Sequence, residues 1–364
     1  MSKLFSNQPV NRGRQIEWDF AKVFAIVLMI STHYLAFCSF GNIDYGKASD
    51  FVFILTNSSA PIFMFAMGVG MVYTRHGSPK EFVIRGIKLF CLGLIVNTMY
   101  FLSNYSAGVP LEYSLLSFLA NDILQFAGIS FILIGIFKRF NLRTVQILVI
   151  SIGFSLVASY FSDFTFSNMY LNQFLGNFIE TQGQNIVSCF PLLNWFILPV
   201  CGMIFGGDLI RCIDKDELYK RILRPTSILT LILLIVGFIT LEGMFSVTGG
   251  TVPEKLEYLH ASIPDIMILI IVTMFVASLF YFLSKRASPK IIDFVRRTSA
   301  NVTAIYIIQW ALILSLTYVN QFLQIEATLP MAIIVLLFVM VASWILGEAY
   351  AGIKKHLVNM KNDS

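Results

Sequence analysis

The chain has 364 residues, of which 57% are hydrophobic and 13% charged, with a mean hydropathy of +0.75. Soluble globular domains carry about 25% charge, so the composition excludes a soluble enzyme and points to an integral membrane protein. The net charge of +5 calls for no nucleic-acid partner, because basic loops beside anionic lipid headgroups account for it.

Apolar runs of about 18 or more residues, each long enough to cross a bilayer, occur near 18–38, 51–74, 82–102, 113–137, 143–160, 189–210, 224–246, 263–284, 299–320 and 329–350. They predict an all-α membrane protein of about ten transmembrane helices, with residues 1–364 forming a single domain. With the N-terminus in the cytoplasm, all of the 26 Lys and Arg except Lys47 and Lys255 fall on the cytoplasmic side. That asymmetry follows the positive-inside rule and places both termini in the cytoplasm, in a multi-pass protein of the cell membrane.

The first segment, IEWDFAKVFAIVLMISTHYLAF, is too long for a cleaved signal peptide and carries Glu17, Asp19 and Lys22 at its start. Lys22 and His33 are eleven residues apart, which on a helix is three turns plus roughly 20°, so they share one face about 16 Å apart. Ionisable groups at membrane depth are costly and tend to face a bundle interior or a wet cavity. A neutral imidazole there can take a proton from a hydroxyl or accept an acyl group; the plainer reading is a histidine held by an interhelical hydrogen bond. Lys22 can snorkel to the headgroups, and Asp19, three residues earlier, is placed to pair with it.

In the third segment, Arg85 and Lys88 of RGIKLF are neighbours on one face and could clamp a phosphate, although the positive-inside rule alone would also put cations there. The fourth segment holds Asn121, Asp122 and Gln125 in LANDILQFAG. These groups need partners at membrane depth. They could orient His33, bind an acceptor, or join helices. Further on, FPLLNWFILPVCGMIFGG combines Pro191 and Pro199 with Gly202, Gly206 and Gly207, which suits close packing. Trp195 reads there as a pocket wall or a belt aromatic. Glu242 and Glu348 read as rim residues, and the stretch 161–188, rich in Asn, Gln and aromatics, suits either a glycan contact or an interfacial segment. The five scattered cysteines read as packing residues, with a Cys38–Cys189 bridge as the alternative, and four dispersed histidines give no metal site.

Several pieces stand in one order: DFAK with His33 beyond it, APIFMFAMGVG, RGIK, ILQFAG, FPLLNW and IYIIQW. Together they resemble the transmembrane acyltransferase superfamily, meaning acyltransferase family 3 and its relatives of the heparan-glucosaminide N-acetyltransferase type, over essentially the whole chain. Lys22 and His33 match the Arg/Lys-x10-His marker of the first helix; Arg85 and, conservatively, Lys88 match the Arg-x-x-Arg marker of the third.

The resemblance implies transfer of an acetyl or short acyl group from cytoplasmic acyl-CoA to a hydroxyl or amine of an extracytoplasmic or lipid-linked sugar. It implies acetyl-CoA as co-substrate, His33 as the catalytic residue, and Lys22, Arg85 and Lys88 binding the donor's phosphates or gating its entry. Asp122 is the candidate catalytic partner; Asp19, Asn121, Gln125, Trp195 and Gln309 are the candidates for substrate binding. Family members often have a histidine where Gln309 stands in IYIIQW, and lysine replaces arginine at Lys22 and Lys88, which removes the bidentate fork. The rival reading is a transporter or flippase for a small or lipid-linked polar substrate, since intramembrane polar groups also mark substrate paths. Assembly into a homo-oligomer is left open by the sequence.

Overall fold

The computed structural model describes residues 4–37, 58–179, 188–240, 262–323 and 328–362. Cys38 with its candidate bridge to Cys189, Lys47, Glu242 and Lys255 lie outside or depend on residues outside this set. Among the described residues the chain is helical, and its β structure is one antiparallel bridge between Phe5 and Cys212. Backbone groups in hydrocarbon must find partners within their own segment, which is why long apolar runs resolve into helices. In chain order these are α1 (Ile16–Phe37), α2 (Ser59–Tyr73), α3 (Pro79–Ser106), α4 (Leu111–Phe118), α5 (Ile123–Arg139), α6 (Thr144–Tyr160) and α7 (Met169–Gly176). Then follow α8 (Leu192–Trp195), α9 (Ile197–Leu209), α10 (Lys215–Thr240), α11 (Ile263–Ser284), α12 (Pro289–Ala300), α13 (Val302–Leu323) and α14 (Leu329–Asn362).

Within the described residues, each of the ten predicted segments overlaps a helix. Among the described residues six helical spans are long and apolar enough to cross a membrane: Ile16–Phe37, Pro79–Ser106, Leu192–Leu209, Ile263–Ser284, Val302–Asn320 and Leu329–Leu357. A seventh is formed if α4 and α5, bent by 46° at their junction, count as one. The helices α2 and α6 are apolar but shorter, and α10 carries a charged first turn and an internal Pro225. A multi-pass helical membrane protein is what these elements establish; ten crossings and the side of each terminus stay expectations from the apolar runs and their flanking charges.

The fourth predicted segment, 113–137, is not one straight helix but is broken at Leu119–Asp122. Asn and Asp compete with the helix through their own short polar side chains, and here several of the freed backbone groups find partners. Asn97 Nδ2 donates to the carbonyls of Phe118 (2.9 Å) and Ala120 (2.8 Å), and Asn177 Nδ2 to that of Leu119 (2.9 Å). The Asn121 carbonyl accepts from Cys189 N–H at 3.0 Å, and Asp122 Oδ1 accepts from Ile123 N–H at 2.6 Å to start α5. Elsewhere Ser78 begins α3 with a reciprocal cap, accepting from Glu81 N–H while Glu81 Oε2 accepts from Ser78 N–H, and Ser288 caps α12 ahead of Pro289.

The chain divides into two compact units. One comprises Met1–Arg14 and Ala60–Phe275, the other Gln15–Ser59 and Val276–Ser364. In the first, small residues let helix backbones approach: a Cβ at Gly128 would lie 2.8 Å from the Gly86 carbonyl oxygen, and one at Gly202 would strike the carbonyl of Phe65. Trp195, Phe196, Phe126, Phe131 and Phe82 fill its core. Its N-terminal segment is strapped to the turn after α9, with Ser6 N–H donating to the Arg211 carbonyl and Ile213 N–H to that of Leu4. In the second unit α1 packs on α12, α13 and α14. Asn301 donates to Glu348 at 3.1 Å, and Arg297 stands 3.7 Å from the same partly exposed carboxylate.

Candidate functional site

His33 sits near the end of α1, whose unbroken 22-residue course keeps it eleven residues from Lys22 on one face. Its Nδ1 is 2.8 Å from Gln309 Nε2 on α13. The Trp310 ring stacks on the imidazole, centroids 4.1 Å apart and planes 29° apart, and Tyr306 meets it edge-on at 6.0 Å. Residues 306, 309 and 310 share one face of a helix by their i, i+3, i+4 spacing, so one short stretch, YIIQW, supplies the ring's hydrogen bond and its two aromatic contacts among the described residues. Phe37 closes against Trp310 at 5.0 Å. Gln309 is fully buried and its Oε1 has no hydrogen-bond partner among the described residues.

At the other end of α1, Lys22 Nζ is 3.1 Å from Asp19 Oδ1, with side-chain exposures of 27% and 3%. The same oxygen accepts from Ser299 Oγ of α12 at 2.7 Å. The carboxylate therefore accepts from Ser299 while it pairs with the lysine, so Lys22 meets a counter-charge within its own helix. Ser299 has no signal in the sequence as a partner of Asp19.

Within the other unit, Arg85 of α3 places its guanidinium carbon 4.5 Å from the centre of the Phe131 ring. Lys138 Nζ stands 4.0 Å over Phe82, and the two rings pack at 5.6 Å. A pair of aromatic rings thus steadies two cations, a contact worth about 0.5–1 kcal/mol each where water reaches it. Lys88 is exposed on the same helix. In the sequence Lys138 reads only as one of the cytoplasmic basic residues; its seven-residue spacing from Phe131 is the signal that places both on one face of α5.

Asn121 donates from Nδ2 to the carbonyls of Phe190 (2.6 Å) and Asn177 (3.3 Å), so it joins segments. Gln125 is 3% exposed, with neither amide atom hydrogen-bonded among the described residues, and lies across Gly93, where a Cβ would come 2.5 Å from its carboxamide carbon. Trp195 is a core residue, 1% exposed and edge-on to Phe190 at 5.2 Å. The structure brings together His33 with Gln309 and Asp19 with Lys22. It places Arg85, Lys88, Asn121, Asp122, Gln125 and Trp195 in the first unit.

The model of the heparan-alpha-glucosaminide N-acetyltransferase catalytic family matches residues 14–242, more than half of the chain. The chain belongs to this family. No curated protein and no solved structure matches it. The match points to an acetyltransferase of the heparan-glucosaminide type and does not single out acyltransferase family 3.

In this acetyltransferase-family chain the matched stretch contains Lys22, His33, Arg85, Lys88 and Asp122, whereas Gln309, which holds His33, lies beyond it. Asp122 has a structural duty as the cap of α5. Asp122→Ala is expected to lower stability by about 1 kcal/mol, and Asp122→Asn to restore it, since asparagine caps equally well; thermal unfolding in detergent measures both. A fall in acetyl transfer in a fully stable Asp122→Asn protein would give Asp122 a part in turnover as well.

Proposed function

We propose that this protein moves an acetyl group from cytoplasmic acetyl-CoA to a hydroxyl or amine of an extracytoplasmic or lipid-linked sugar, with His33 handling the proton. The observation that carries the reading is an imidazole gripped by Gln309 and Trp310 within a chain of an acetyltransferase family. The acceptor's nitrogen or oxygen bonds to the thioester carbonyl carbon, and the carbon–sulfur bond breaks. The proton leaving the acceptor passes to the imidazole and from there to the departing thiolate of coenzyme A, which balances the step. A two-step variant, in which the imidazole first accepts the acetyl group and then yields it, uses the same residue.

Arg85, steadied on Phe131, and Lys88 are the proposed ligands of the donor's phosphates. Lys22 fits that task less well, since Asp19 already neutralises it. The test is calorimetric binding of acetyl-CoA to the detergent-purified protein. Micromolar binding is expected, weakened by tenfold or more in an Arg85→Ala, Lys88→Ala double variant, in keeping with about 1.5–3 kcal/mol for a hydrogen bond to a charged group. A folded protein that binds no acetyl-CoA would favour the transporter or flippase reading, which draws on the broken α4–α5 pair and the buried Gln125 as marks of a substrate path.

A further inference from the structure

The amide of Gln309 can meet His33 in two ways. As it stands, Nε2 faces Nδ1 at 2.8 Å. An amide N–H can only donate, so Nδ1 must be the acceptor and the ring proton sits on Nε2. Turned by half a revolution, the amide offers Oε1, which accepts from a proton on Nδ1 and leaves the lone pair on Nε2. In each orientation one amide atom bonds the ring and the other is left over; at present the spare atom is Oε1, buried and without a hydrogen-bond partner among the described residues. Among the described residues no second hydrogen bond to the amide is made in the orientation seen. Meanwhile Trp310, stacked at 4.1 Å, and Tyr306, edge-on at 6.0 Å, hold the ring itself in place.

We propose that Gln309 is a positioning residue that selects the tautomer of His33 by turning its amide, and that the orientation seen is the resting one. With an N–H aimed at Nδ1, no proton can reside there. The imidazolium formed when His33 takes the acceptor's proton carries hydrogen on both nitrogens, so it can form only with Oε1 turned inward. A carboxylate at position 309 could only accept and would fix the proton on Nδ1 permanently. The amide allows both states, the exchange being completed when Nε2 gives its proton to water and Nδ1 takes one from water, and this gives the site an off form without moving a helix. This inference rests on His33 as the proton carrier of the proposed acetyl transfer.

The test uses the full-length protein in detergent with 15N-labelled histidine side chains. Long-range proton–nitrogen spectra distinguish the two ring tautomers, and subtraction of a His33→Asn spectrum identifies the His33 signals. Wild type without substrate is expected to show His33 protonated on Nε2, and Gln309→Glu to show it protonated on Nδ1. Gln309→Met, which can neither donate nor accept strongly, is expected to lower kcat for acetyl transfer by about 100-fold while acetyl-CoA binds as in wild type. A wild-type His33 protonated on Nδ1 alone overturns the proposal, and that spectrum needs no variant to fold. The same spectrum in wild type and Gln309→Glu also overturns it. The spectra need no substrate, so a wild type that transfers no acetyl group but shows the expected pattern would remove the enzymatic reading and keep the tautomer assignment.

Discussion

Replacing His33 by asparagine is expected to lower the rate of acetyl transfer by about 1,000-fold while leaving a folded protein that still binds acetyl-CoA. Asparagine is small enough for the space and can accept from Gln309, so the hydrogen bond at the ring's position has a substitute. What it lacks is a basic ring nitrogen that can take the acceptor's proton or carry an acyl group. Positioned proton transfer contributes about 10²–10⁴-fold, and loss of a covalent carrier would remove turnover altogether. The measurement is kcat with acetyl-CoA and an amino-sugar acceptor, alongside calorimetric binding of the donor. Unchanged turnover would reduce His33 to a packing residue, and a matching loss of donor affinity would mean that it contacts the donor rather than acting on the proton.

Gly202→Val is expected to leave little folded protein. A Cβ at Gly202 strikes the carbonyl of Phe65, and one at Gly68 strikes that of Pro199, so α2 and α9 touch backbone to backbone. Neither obstacle is a side chain that could swing aside. The helices must part, and separation along the whole contact costs the dispersion that drives helix association in lipid. A loss of about 3 kcal/mol or more follows from overpacking of this kind, a large share of the stability of an ordinary domain. Gly70→Val is the control, because nothing lies within 4 Å of a Cβ there. Fluorescence-detected size exclusion after heating should show the first variant aggregated and the second like wild type; equal behaviour of the two would refute the close contact.

How far the sequence reveals this arrangement depends on the range of the contact. The positions of the helices follow from apolar runs, and the Lys22–His33 face follows from spacing within one helix. The Asp19–Lys22 pair was readable for the same reason, being three residues apart. Ser299, by contrast, reaches Asp19 across 280 residues, and Gln309 reaches His33 across 276. No periodicity encodes such pairings. The motif IYIIQW marks Gln309 only as a departure from a family pattern, and nothing in the sequence pairs its face-mates Tyr306 and Trp310 with His33. The break at Leu119–Asp122 was hidden by hydropathy, which averages over two polar residues in a long apolar run. Asp122 ahead of ILQFAG is also the signature of a helix start, a local meaning that the sequence carries alongside the chemical one.

The pairing of α1 with the C-terminal helices sets a schedule for biosynthesis. The ribosome delivers His33 first and Gln309 276 residues later, an interval of about 15–55 s at ordinary elongation rates of about 5–20 residues per second. Throughout that time Asp19 and His33 are in or beside the bilayer without Ser299 or Gln309. A truncated chain ending before Val302 never supplies the second of these partners, so it is expected to be held by insertion chaperones and degraded even though its own helices are intact.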